Sequence, residues 1–199
     1  LDGMRIMLAD FVENLRQSGQ DAMEVQLVQI RREISHQMRD SSIFFEGNSS
    51  RDVDACLAMI QKCAASWKDV LTELVFCRAM GRVIGFMLSE LTRLLLQIED
   101  ITTNNAAHAS KLMRNTLAPL EKMVMIRGTP MLHTECAKDY FHYKEMMFLL
   151  DASLQDIDDR WCDGKGPLAE YVPAAEVHHI IKAIFANSEL RKRLITKIY

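Results

Sequence analysis

Two Glu-x-x-His steps stand out in the chain, Glu33 with His36 and Glu176 with His179. Di-iron carboxylate bundles use two such steps, with both side chains aimed into the bundle. Helical geometry tests that chemistry. With Leu27 set at 0°, Ile30, Ile34 and Met38 fall within about 60° of it, while His36 lies near 180°. With Val177 at 0°, Ile180, Ile181 and Ile184 cluster near it and His179 falls at roughly 200°. Both histidines therefore face away from the apolar stripe, and a solvated face is expected for them. His133-x-x-Cys136 with His142 has loosely metal-like spacing, but a Cys₂His₂ zinc site needs a second cysteine at defined spacing. Gly164-Lys165-Gly166 lacks the G-x-x-x-x-G-K-[ST] spacing of a phosphate loop and the strand that precedes one. No G-x-S-x-G occurs. The five cysteines are odd in number and contain no C-x-x-C, which reads as reduced thiols in a cytosolic or nuclear protein. No catalytic residue, metal ligand or cofactor site is assigned.

The elements that must hold these residues are helices. Of 199 residues, 49% are apolar and 26% charged, with only 8 Gly and 4 Pro. That composition allows a buried core and argues against all-β folds and disordered linkers. The net charge of −3 supplies no basic field for nucleic acid. The longest apolar run, Val83 to Leu88, is too short to span a membrane. Leu27, Ile30, Ile34 and Met38 form one stripe on a first long helix, which Gly19 kinks or divides. After a break at 47–50, Ser49 or Ser50 caps a second helix, with Val53, Leu57, Ile60 and Ala64 on one face. A third runs from about Leu71 to Ile101. Thr102-Thr103-Asn104 caps a fourth, from Ala106 to Leu117, which Pro119 ends or kinks. Residues 128–138 read as a loop. A fifth helix runs from Tyr143 to Trp161, stopped by Asp163-Gly164-Lys165-Gly166-Pro167. Two short helices follow, Ala174 to Ala186 and Glu189 to Ile198, the last capped by Asn187 or Ser188. This predicts an all-α, elongated bundle of long antiparallel helices. It forms either one domain over 1–199 or two abutting sub-bundles, about 1–103 and 104–199. Leu1 in place of Met, with periodicity from the start, reads as a fragment of a longer polypeptide.

Cys77, Gly81, Gly85 and Ser89 recur every four residues on the third helix. They make a ridge of small side chains that admits a close neighbour, and internal core packing is the expectation. The thirteen methionines, Met59, Met80, Met87, Met146 and Met147 among them, read as core filler. Arg191, Lys192, Arg193 and Lys197 make the last helix basic. That suits a helix C-terminus and also an acidic partner or lipid headgroup.

Several strings resemble the C-terminal region of the zeste-white ten kinetochore and vesicle-tethering family. They are Ser66-Trp67-Lys68-Asp69-Val70-Leu71, Phe76-Cys77-Arg78-Ala79-Met80-Gly81 and Ile98-Glu99-Asp100-Ile101. Leu154-Gln155-Asp156-Ile157 follows, and then the run from Asp159-Arg160-Trp161-Cys162-Asp163-Gly164 through Lys165-Gly166-Pro167-Leu168-Ala169. The family's Trp-x-Asp-Gly-Lys-Gly-Pro-Leu-Ala string likewise lies near the C-terminus before a helix containing Glu-Val, here Glu176-Val177. Ala183-Ile184-Phe185, Asn187-Ser188-Glu189 and Lys197-Ile198 match the family's ending. The likeness is specific over about 60–100 and 145–199, and weak over 104–142. Thr72 stands where the family can carry Pro.

The resemblance implies the C-terminal end of a helical rod shared by exocyst, conserved oligomeric Golgi and Dsl-type tethers. It implies a non-enzymatic, cytoplasmic protein with no cofactor. At kinetochores and the mitotic spindle the partners are Rod and Zwilch, with indirect dynein and dynactin recruitment and a checkpoint role. On the endoplasmic reticulum, peripherally, they are a Rod-related α-solenoid subunit and SNARE-associated tether subunits that capture Golgi-derived COPI vesicles. Candidate partner-binding residues for a solenoid are Trp161, Gly164, Lys165, Pro167, Phe185, Leu190 and Leu194, with Trp161 as anchor if exposed. The same residues also suit stapling the last two helices onto the bundle. A metal-binding, di-iron-like bundle enzyme and a peripheral membrane-binding module are the alternatives.

Overall fold

The computed structural model describes residues 2–47 and 50–198, with side-chain surroundings from Asp10 onward. It is all-α as predicted, with ten α-helices among the described residues: α1 Asp2–Gln37, α2 Arg51–Lys68, α3 Glu73–Leu95, α4 Thr103–Met123, α5 Leu132–Glu135, α6 Ala137–Asp151, α7 Leu154–Trp161, α8 Pro167–Tyr171, α9 Ala174–Ile184 and α10 Glu189–Ile198. A two-stranded antiparallel hairpin, β1 Met125–Ile126 and β2 Thr129–Pro130, lies between α4 and α5.

The centre of the packing is α3. Apolar residues surround most of its circumference, so it has neighbours on several sides: α1 and α2, and α5 and α6. From α1 come Leu27, Ile30 and Ile34, followed by Met38 just past its end; all four are buried, as the stripe predicts. From α2 come Val53, Cys56, Ile60 and Trp67. One continuous apolar core runs from Leu27 to Ile198 and draws on both 1–103 and 104–199.

The ridge of small residues has its close neighbour inside the chain. A Cβ on Gly81 would lie 2.5 Å from the Cβ of Glu135, and one on Gly85 2.9 Å from that of Cys136. The junction of α5 and α6 therefore seats directly on the α3 backbone, and core packing accounts for both glycines.

Several boundaries differ from the sequence expectation. Helix α1 runs without a break through Gly19, where an added Cβ would meet nothing within 4 Å. Ser49 lies outside the described residues; Ser50 is the N-cap residue of α2, but its hydroxyl donates to Asp54 rather than capping a backbone N–H. Helix α3 stops at Leu95, and a short connection carries buried Ile98 and Ile101 to Thr102, which caps α4. Pro119 sits inside α4, which continues to Met123. The missing proline N–H is outweighed by burial of Leu117 and Leu120 on either side. The stretch 128–138 holds β2, α5 and the start of α6. The hairpin turns at Arg127 and Gly128, whose φ of 49° and 82° are the left-handed pair of a two-residue turn. The single fifth helix is two: α6 ends at Asp151, and Ser153 starts α7 with a reciprocal cap to Asp156. Ser188 caps α10 by accepting the Arg191 N–H.

Candidate functional site

The two Glu-x-x-His steps do not meet. Glu33 and His36 are exposed on α1. Glu176 pairs with His142 at 2.7 Å, and the His179 Nε2 lies 2.9 Å from the Ile98 carbonyl oxygen. His179 is thus half-buried rather than solvated. Its face of α9 meets the connection after α3, where Ile101 also donates to the Ala183 carbonyl. His133 is exposed, while the Cys136 thiol donates to the Leu132 carbonyl, and burial pushes it up to about 12. The described residues contain no group of three or more His, Cys, Asp or Glu arranged to hold a metal ion.

The candidate partner-binding residues separate into two kinds. Trp161 is 6% exposed and Leu194 4%, so both pack inward. Trp161 closes α7 against the following turn, in which Gly166 donates to its carbonyl. That turn holds Cys162, Asp163 and Gly164 successively at positive φ. A Cβ on Gly166 would lie 2.0 Å from the Arg160 carbonyl oxygen, so the glycine is a requirement of the turn. Gly164, Lys165 and Pro167 are exposed, Phe185 is half-buried, and Leu190 is 52% exposed. Trp161 and Gly164 border a groove of about 660 Å³ with Lys138, Asp139, His142 and Glu170. Burial there pushes the Asp139 carboxyl above its usual range.

The basic residues of α10 largely have partners. Lys192 pairs with Glu189, and Lys197 bridges Asp158 and Asp163, which push its ammonium up to about 12. Arg191 donates to the Phe185 carbonyl. Helix α10 is fastened to α7 and α9 through these contacts and Leu194. Among the described residues, no helix is long and apolar enough to cross a membrane.

A different surface was not singled out by sequence. At the corner between α2 and α3, Val70 is 79% exposed, and Leu74, Val75 and Met125 are exposed as well. Leu71, Phe76, Met123 and Met125 line a groove of about 510 Å³ there. The hairpin is tied to this corner, since Arg127 donates its N–H to Glu73 and the Cys77 thiol reaches the Met125 carbonyl. Leu74 and Val75 are apolar residues outside the buried positions of α3, and Val70 is an apolar residue in the turn before it. That mismatch was the available signal.

Residues 51–198, which include this corner, match the family model of the ZW10 C-terminal helical domain. The chain belongs to the ZW10 family. A centromere/kinetochore protein zw10 homolog of Caenorhabditis elegans is 30% identical to it, over 96% of this chain and 28% of that protein. The homolog of Rattus norvegicus is 32% identical over 75% of the chain and 20% of its own length. The zw10 protein of Drosophila melanogaster is 27% identical over 73% and 20%. The chain thus spans between a fifth and somewhat over a quarter of these ZW10 relatives.

Proposed function

We propose that this chain acts as a non-catalytic docking module of a kinetochore protein, and that it binds an α-solenoid partner through the apolar corner between α2 and α3. The observation that carries this is the group of exposed Val70, Leu74, Val75 and Met125 inside the family-matched region. Isolated exposed apolar residues are ordinary, but several at one corner, beside a groove that Met125 also lines, are what a partner surface uses. The relatives' names, all centromere/kinetochore proteins, support the cellular setting. In this reading the partner at kinetochores is Rod, with Zwilch in the same assembly and dynein recruited indirectly. On the endoplasmic reticulum a Rod-related subunit occupies the same corner within a tether for Golgi-derived vesicles, and the protein is otherwise cytoplasmic. Exposed Lys165, Pro167 and Leu190 form a secondary contact.

A pull-down with the chain as bait tests the proposal. Rod or its trafficking counterpart is expected with the parent chain. Capture should fall about tenfold or more with Val70→Ser, Leu74→Ser and Val75→Ser combined, while helical circular dichroism stays unchanged. Undiminished capture by that variant rules out the corner.

A further inference from the structure

The last turns of α1 carry a second surface of opposite character. Val28, Arg31, Arg32, Ser35 and His36 on α1, Arg39 just beyond it, and Phe86 of α3 line a shallow groove of about 420 Å³. Among the described residues, no carboxylate pairs with Arg31, Arg32 or Arg39. Nearby arginines do have acids: Arg82 pairs with Glu24, and Arg93 with Glu90. Asp40, next to Arg39, is committed to Ser42, accepting from both its N–H and its hydroxyl. The Arg31 guanidinium lies 5.7 Å over the Phe86 ring, and its Nε is shut off from solvent without an acceptor. Stacking on an aromatic ring holds a guanidinium in place while leaving its terminal N–H groups for carboxylate.

A helix C-terminus favours cations within its last turn, which accounts for His36 but not for Arg31 and Arg32 further back. Three arginines without acids, set along a groove with an apolar floor, require another account. We propose that this groove binds an extended acidic segment of a partner protein, with Asp or Glu side chains on Arg31, Arg32 and Arg39 and an apolar side chain over Val28 and Phe86. From residue 31 to the helix end at residue 37 the rise is about 9 Å, and Arg39 lies two residues further on, so about four residues of extended chain reach from Arg31 toward Arg39. A flat anionic membrane fits less well. Glu33 projects from the same turns of α1, and Glu90 lies beside Arg93, whose guanidinium reaches the Met38 carbonyl. These acids and the net charge of −3 also oppose nucleic acid. The groove is separate from the apolar corner, so the two sites stand or fall independently.

Fluorescence anisotropy with the chain and a labelled poly-glutamate peptide carrying one central leucine tests this site. The glutamine counterpart of the peptide and vesicles of phosphatidylcholine and phosphatidylserine serve as further probes. The glutamate peptide is expected to bind, the glutamine peptide not. Affinity should weaken as salt rises from about 50 to about 300 mM. Arg32→Glu with Arg39→Glu should weaken it about tenfold or more, and neither substitution removes an internal partner. Lys111→Glu with Arg193→Glu changes net charge equally on exposed residues elsewhere and should leave binding unchanged. Equal loss in that control overturns the proposal, as does equal binding of the glutamine peptide. Absence of glutamate-peptide binding at low salt also overturns it, and vesicle binding in that case assigns the groove to a membrane instead.

Discussion

Glu145 on α6 is 4% exposed, a poor place for a charge unless it is paired in full. Arg160 on α7 supplies that pair with two hydrogen bonds of 2.6 Å, one to each carboxylate oxygen, while its guanidinium lies 4.7 Å over the Phe148 ring. The bond to Glu145 in turn raises the Arg160 pKa. Neither residue announces this in the sequence. They are fifteen positions apart, and only the break at Ala152–Ser153 folds α7 back so that they meet. Arg160→Ala leaves the carboxylate buried and unpaired, and should cost about 2–3 kcal/mol in urea denaturation, moderated by the partial exposure of the arginine. Replacing both partners with apolar side chains, Glu145→Leu and Arg160→Met, should restore stability to within about 1 kcal/mol of the parent. A double variant as unstable as Arg160→Ala would show that packing, not an orphaned charge, sets the loss.

At the scale of elements, the α3 glycines and Gly19 make a matched contrast. Alanine is favoured over glycine inside a helix by up to about 1 kcal/mol. At Gly81 the new methyl would meet the Glu135 Cβ at 2.5 Å, a main-chain-anchored atom that cannot swing aside. Gly81→Ala should therefore lower stability by about 1–3 kcal/mol despite its helix propensity. Gly19→Ala meets nothing and should raise helical circular dichroism without lowering the unfolding midpoint. A stabilising Gly81→Ala would mean that α5 can retreat from α3 at little cost. The ridge was legible because spacing alone puts Cys77, Gly81, Gly85 and Ser89 on one face. The buried stripe of α1 was legible for the same reason. Other features were not. Pro119 signals a helix end locally, but burial of Leu117 and Leu120 overrides it. Ser153 and Asp156 form a capping pair, yet they sit in a run whose apolar periodicity carries on past them. Trp161 gives no sign in the sequence of which way it faces. That depends on three consecutive left-handed residues after it, only one of them glycine.

Over the whole molecule, the packed body and α1 do not begin at the same place. Every residue from Asp10 to Ala22 is exposed, while Leu27, Ile30 and Ile34 further along the same helix are buried. Phe11 is 60% exposed, and Val12 and Leu15 are comparably open. A helix without tertiary contacts gains little from its own hydrogen bonds and frays in water. Amides from residue 10 to residue 20 should therefore exchange with deuterium well before those from 27 to 34, whose opening is coupled to the core. Substitutions divide in the same way. Phe11→Ser and Leu15→Ser should each change stability by less than about 0.5 kcal/mol. Leu27→Ala empties a core position against α3 and should cost about 2–5 kcal/mol. The combination discriminates between two states of the molecule in solution. If Phe11→Ser is nearly silent while 10–20 exchange fast, the segment is uncovered. If Phe11→Ser is as costly as Leu27→Ala and 10–20 are protected, another surface covers this face. A dependence of that protection on protein concentration then identifies the cover as a second copy of the chain.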